Sequence, residues 1–450
     1  MSWCRRVGRR AGRSLLALGV LAGPALGAAQ DRGPAAGALP AVAVEAARAA
    51  MADTAAGAQL TVAVLTVGQG GAVWEMFGHN LLWIRDTVTG EQAAWNWGMF
   101  SFNEPDFLQR FLLGDTRYWM QGEDVASTLE YYASVGREMV AQELALTAAQ
   151  KAALLAFVRT NAREDAKYYR YDYFLDNCST RLRDALDLVL DGALAASLRA
   201  DTTAHTFRSE TLRLVGRDAW LTLGIDFALG VPADRPLTAW ETAFVPMRLR
   251  DALATVRVPD GAGGMRPLVQ RTGTVVPATR PQAADRFPAS QLPWRVIGFA
   301  AVVLVVGLVL GRRQAARGGY IAGAHRVFAV VVHAVLGALA MAALAMWLFT
   351  RHSFWAWNPH LLIVTPLSLV IAATVALRGA RPMPRWVLAY HATLIGGALA
   401  VGLGTALRSV LNDDAPGAVF SLWAHAAWML HLGAVLPLAP WPWLRAGSPS

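Results

Sequence analysis

One cysteine and one histidine are the residues of this chain best suited to nucleophilic chemistry. The cysteine is Cys178, in the run Tyr168-Tyr169-Arg170-Tyr171-Asp172-Tyr173-Phe174-Leu175-Asp176-Asn177-Cys178-Ser179-Thr180-Arg181-Leu182-Arg183-Asp184. Polar and aromatic residues give way there to Leu182, Ala185, Leu186, Val189 and Leu190, apolar at three- and four-residue spacing, which predicts a helix starting at Cys178. Asp176, Asn177 and Ser179 are all suited to cap it. A thiol at a helix start lies in a positive field, among backbone N–H groups without helical partners. That field favours thiolate, the nucleophilic form, and the same N–H groups can hold an oxyanion. The alternative is a buried, inert cysteine.

The chain has two cysteines, Cys4 and Cys178. Cys4 falls in a segment expected to be removed, so the mature chain keeps one thiol and forms no internal disulfide. The partner for that thiol is His79, beside Gly78 at the start of a predicted strand that puts His79, Leu81 and Trp83 on one face. His79 and His205 are the two histidines before the C-terminal apolar segments. A thiol and an imidazole meet in the fold rather than in the sequence, so their separation is no objection. A hydrogen-bonded structural histidine is the alternative.

The elements that would position this pair read as follows. Residues 60–67 form a strand, 68–71 a turn and 79–86 a strand, with a hairpin at Thr89-Gly90 returning through residues 93–98. A helix is expected within 100–113, extended chain at 118–120, 125–127 and 135–144, and a Thr147-capped helix to about Asn161. A short helix over 41–51 precedes them. Residues 220–230 are amphipathic and aromatic, suited to a core helix or to a membrane surface.

The whole chain is 450 residues, 55% hydrophobic and 16% charged, with 17 Trp and a net charge of +9. That is too apolar for an ordinary soluble enzyme and predicts a protein partly in a membrane. The positive excess fits orientation charges and anionic lipid rather than nucleic acid. No zinc spacing, P-loop or dinucleotide fingerprint occurs, so neither a metal nor a cofactor is expected.

Residues 1–29 read as a signal peptide: arginines, an apolar run, then small residues. Residues 30–58 are a lead-in, 59–254 an extracytoplasmic Cys–His domain, and 255–293 a hairpin and linker. Residues 294–440 carry five apolar segments, near 294–311, 326–349, 359–377, 386–408 and 418–440, each close to the ~20 residues that span a bilayer. Arginines cluster in the first and third connections and place them in the cytoplasm. The chain is then a multi-pass bacterial inner-membrane protein with its Cys178 domain on the periplasmic side and residues 441–450 as a cytoplasmic tail. His352, Trp355, Asn358 and His360 fall on the outer side, where they line a lipid site or form an interfacial belt.

The order Gly78-His79-Asn80, Asn96-Trp97-Gly98, Tyr168 to Asp172 and Asp176-Asn177-Cys178-Ser179-Thr180-Arg181 resembles the Bacteroides-type lipoprotein N-acyltransferase (Lnb) family, formerly a domain of unknown function. The segment Asn358-Pro359-His360-Leu361-Leu362, with its apolar runs, is similar to that family's membrane half. The resemblance implies an α+β, permuted papain-like domain of the lecithin:retinol acyltransferase type, fused to an all-α domain of about five transmembrane helices. It implies transfer of a fatty acyl chain from a phospholipid, through a thioester on Cys178, to the α-amino group of a lipoprotein's diacylglyceryl cysteine. The partners would be the phospholipid donor, the lipoprotein acceptor and the membrane.

Cys178 and His79 carry over directly. Asn80, Asn96, Asp172, Asp176 and Asn177 are candidates to orient the imidazole or hold an oxyanion. Trp74, Trp83, Trp97, Tyr169, Arg170, Tyr171, Tyr173 and Arg181 are candidates for substrate contact, with His352, Trp355, Asn358 and His360. Two other readings stay open: a membrane-bound extracytoplasmic cysteine hydrolase, and a non-enzymatic membrane scaffold.

Overall fold

The computed structural model describes residues 38–259, 263–283, 292–316, 323–362, 364–378, 383–411 and 418–435. The expected signal peptide, Cys4, most of the lead-in and the tail lie outside these residues. By packing, the chain forms two compact units. The first runs to Ala204 and adds Leu237–Gln282 and Leu348–Ser353; the second holds His205–Pro236, Ala283–Trp347 and the chain from Phe354 on. The block expected at 59–254 is thus interrupted, because residues 205–236 group with the C-terminal helices.

The first unit opens with helix α1 (Ala41–Ala50) and strand β1 (Leu60–Val67). Strands β2 (His79–Asp86) and β3 (Gln92–Met99), helix α2 (Phe107–Leu113), strand β4 (Arg117–Glu123) and helix α3 (Val125–Ser134) follow. Next come β5 (Met139–Leu144), α4 (Ala148–Asn161), β6 (Tyr168–Arg170), α5 (Cys178–Val189) and α6 (Ala193–Arg199). Helices α7 (Phe207–Val215) and α8 (Ala219–Ala228) belong to the second unit. The chain returns to the first unit with α9 (Ala239–Thr242), α10 (Pro246–Thr255) and strands β7 (Arg257–Pro259), β8 (Met265–Pro267) and β9 (Val269–Val276).

Seven strands pair in the order β6-β4-β3-β2-β1-β5-β9, antiparallel throughout. Alternation along each strand gives the sheet two apolar faces. Val62, Val64, Leu82 and Trp97 meet Ala153, Phe157, Leu182, Leu186 and Leu253 on one face. Leu65, Val67, Leu81 and Ala94 meet Val125 and Tyr132 of α3 on the other. Two expectations change. Residues 125–127 are not extended but begin α3, because the Asp124 side chain caps the Ser127 N–H at 2.8 Å. Residues 255–293 are more than hairpin and linker: β7 and β8 pair, but β9 joins the main sheet beside β5.

The second unit adds α11 (Leu292–Ala316), α12 (Ala324–Phe349), α13 (Leu367–Arg378), α14 (Arg385–Leu411) and α15 (Ala418–Val435). Among the described residues one stretch, Arg326–Phe349 of α12, is long and apolar enough to cross a membrane. Shorter apolar helices include Leu367–Arg378 and Ala426–Val435. The expected segment 359–377 begins as a 3-10 turn at Pro359–Leu362 and becomes helical only at Leu367. Pro366 accounts for the late start, since a proline disfavours helical conformation in the residue before it.

Candidate active site

Cys178 is the first residue of α5, free and buried. Asn177 caps the helix: its side-chain oxygen accepts from the N–H of Ser179 at 2.9 Å and of Thr180 at 3.0 Å. Its amide donates to the carbonyls of Tyr173 (2.8 Å) and Phe244 (2.9 Å), which fixes where the helix starts. The backbone N–H groups of Asn80, Ser179 and Cys178 lie against the thiol, and each favours its ionised form. Burial outweighs them and pushes the thiol up to about 11. The expectation of a resting thiolate is therefore corrected: the helix field is present, but desolvation is the larger effect.

The Asn80 contact shows how the nucleophile reaches the sheet. β3 is irregular between Trp97 and Met99, with Gly98 at a φ of +88°. At that break Cys178 Cβ and Tyr171 Cε2 each lie 3.6 Å from the position a Gly98 side chain would take, and the Tyr169 hydroxyl lies 3.8 Å from it. A larger residue would be strained there by the positive φ, although its Cβ would meet Cys178 Cβ at ordinary contact distance.

His79 opens β2, and its Nε2 is 2.6 Å from Asn96 Oδ1. Leu81 pairs with Asn96 across β2 and β3, so Asn96 sits diagonally from His79 on one face. An accepting Oδ1 requires Nε2–H, which leaves Nδ1 as the basic nitrogen. The Asn96 amide reaches Glu123 Oε2 at 3.3 Å, extending the chain by one carboxylate. Desolvation lowers the His79 pKa to about 4, against the Asn96 hydrogen bond, and the Arg137 charge adds to the lowering. Arg137 is itself buried and also favours the Cys178 thiolate. Glu123 and Arg137 carried no sequence signal, because each acts through a contact far along the chain.

The remaining candidates separate by place. The Asn80 amide donates to Ser179 Oγ at 3.0 Å, tying β2 to α5 rather than orienting the imidazole. Asp172 accepts from the N–H of Phe174 and Leu175 in a turn. Asp176 forms a buried ion pair with Arg181, whose guanidinium lies 4.0 Å over the Tyr169 ring. The side chains of these three make these contacts rather than one to His79, while the Asn80 backbone N–H remains against the thiol. Trp97 is wholly buried, donates to Asn161 Oδ1 at 3.0 Å and is core, not a substrate contact. Arg181 is likewise structural.

Trp83 donates to Gln92 at 3.1 Å, and Arg170 sits on β6 with its Nε buried. Tyr169 is buried, and its hydroxyl has no partner among the described residues. Tyr171 stacks on Tyr118 at 4.4 Å, and Tyr173 on His352 at 5.9 Å. Trp74 is exposed beside Phe100 and Phe102. In the second unit, Asn358 donates to the Phe227 carbonyl at 2.7 Å at the end of α8, and its Oδ1 lies 3.0 Å from His360 Nδ1. Trp355 is in a 3-10 turn just before them. This accounts for the Asn–His pair as a lock on that turn. No cluster of metal-ligating residues occurs among the described residues.

A buried thiol at a helix start, with the backbone N–H of Asn80 against it, and an asparagine-held histidine one residue before Asn80 on the same strand lie in an α+β unit built on an antiparallel sheet. Residues 47–216 match the family model described as the Lnb N-terminal periplasmic domain. The matched model describes a periplasmic domain. No curated protein and no solved structure matches the chain.

Proposed function

We propose that the protein is a lipoprotein N-acyltransferase with Cys178 as nucleophile, His79 as general base and Asn96 as the residue that orients His79. The domain is read as permuted papain-like, the histidine strand preceding the cysteine helix. The observation that carries the reading is the convergence of three backbone N–H groups on Cys178, one of them from Asn80, the residue next to the Asn96-held His79.

Thiol and imidazole rest neutral, so His79 Nδ1 takes the thiol proton as sulfur attacks a phospholipid ester carbonyl. The S–C bond forms, and the N–H groups at the start of α5 stabilise the oxyanion. The Tyr169 hydroxyl, buried and unpartnered among the described residues, is a further donor. The C–O bond breaks, His79 returns its proton to the glyceryl oxygen, and a lysophospholipid leaves. The α-amine of a diacylglyceryl cysteine then attacks the thioester, passes a proton to His79, and releases the thiol and an amide. The second unit is read as a multi-pass membrane domain that brings both lipid substrates to the periplasmic side.

The test is N-acylation of a synthetic diacylglyceryl-cysteinyl peptide by the full chain in phospholipid nanodiscs. Product should fall at least about a thousandfold in Cys178→Ala and in His79→Ala. Undiminished product in Cys178→Ala refutes the reading.

A further inference from the structure

The apolar surface around α2 has no role in the chemistry above. Leu108 is 67% exposed, Phe102 61%, Trp74 57% and Leu112 51%, in one stretch of surface where a water-facing helix would carry polar side chains. The rings are in continuous contact: Trp74 with Phe102 at 5.3 Å, Phe102 with Phe107 at 5.1 Å, Phe107 with Phe111 at 6.2 Å and Phe111 with Tyr173 at 6.3 Å. A branch leads inward. Phe102 touches Phe100 at 5.2 Å, Phe100 touches Tyr118 at 5.1 Å, and Tyr118 stacks on Tyr171 at 4.4 Å. Tyr171 and Cys178 both border Gly98 at the break in β3.

A second observation says what covers this face. Residues Thr350 to His352 directly follow Phe349, the last residue of the stretch long enough to span a bilayer. They are bonded to the end of α2: the Arg351 N–H donates to the Leu113 carbonyl at 2.8 Å, and its guanidinium to Asp115 at 2.7 Å. His352 Nε2 lies 3.1 Å from the Phe111 carbonyl. A spanning helix delivers the residues after it to the membrane surface. The connection therefore tethers α2 at the level where an apolar face with aromatic residues is stable in the headgroup region.

We propose that α2, Trp74 and Phe102 form an interfacial contact that enters the phospholipid leaflet, and that the rings from Phe102 to Tyr171 guide one acyl chain toward Cys178. The contact rests on reading Arg326–Phe349 as a membrane span; the acyl route rests in addition on the acyl-transfer reading above.

The test places the full-length Cys178→Ala chain in nanodiscs containing a phosphatidylglycerol with a photoactivatable diazirine at an acyl end. Adducts are mapped by mass spectrometry after illumination. Label on the peptide holding Phe102, Leu108 and Leu112 should exceed that on the β2–β3 turn around Val88, itself 80% exposed, by at least about tenfold. Label on the Tyr118 and Tyr171 peptides supports the route. Equal label on α2 and the turn overturns the contact, and α2 label with none at Tyr118 or Tyr171 overturns the route. Because labelling needs no turnover, α2 adducts in a chain whose wild type transfers no acyl group would uphold the contact while refuting the enzyme.

Discussion

Burial, not the helix N-terminus, sets the resting state of Cys178. Three backbone N–H groups and Arg137 favour the thiolate, yet desolvation holds the thiol up at about 11. His79 moves the other way, down to about 4, again mainly by desolvation. Between those values thiol and imidazole are both neutral, and in the proposed mechanism the thiolate forms only as His79 takes the proton. The acylation rate kcat/KM should therefore stay flat from pH 8 to pH 6 and fall as His79 protonates toward about pH 4, read with a soluble ester in stopped flow. A limb centred near the ordinary histidine value of 6.5 would contradict a desolvated base. The same shifts bear on stability. A lowered histidine contributes stability that is present above 6.5 and lost as pH falls toward about 4. A raised thiol contributes stability that is present below 9.0 and lost as pH rises through about 11.

At the scale of elements, the site depends on how α5 is anchored. Asp176 and Arg181 are both buried, and Arg181 also covers Tyr169. Asp176→Asn leaves that guanidinium without its carboxylate, and such a loss costs about 3–5 kcal/mol. In a domain of this size it should lower the thermal midpoint by about 10 °C, followed by near-ultraviolet circular dichroism. A change of under about 2 °C would show that the pair does not hold the helix. Much of this anchoring was legible in the sequence. Asn177 read as a cap, Thr147 read as the start of α4, and the alternation of His79, Leu81 and Trp83 put His79 on a strand face.

What stayed hidden was what depends on distant partners. Asn96 could be named but not chosen over Asp172 and Asp176, because only the β2–β3 register puts it beside His79. Glu123 and Arg137 carry no local pattern at all. The extended reading of 125–127 failed because a three-residue stretch hides the helical spacing of Val125, Thr128 and Tyr132. β9 was missed because it is a mostly exposed edge strand, and so lacks an apolar face to betray it.

At the scale of the whole molecule, a domain matching the Lnb N-terminal periplasmic model is followed by helices of which, among the described residues, one has the length and composition of a span. In the proposed function, an acyl donor and an acceptor that both live in a bilayer give that fusion a purpose, and a thioester on Cys178 is the step through which both pass. The most direct measurement is the intact mass of the full chain after incubation in phosphatidylethanolamine nanodiscs, wild type against Cys178→Ser. The account predicts a fatty-acyl adduct on the wild type that neutral hydroxylamine removes, that a diacylglyceryl-cysteinyl peptide discharges as an amide, and that the variant does not form as a thioester. An acyl adduct stable to hydroxylamine, or amide product formed equally by the variant, would contradict it.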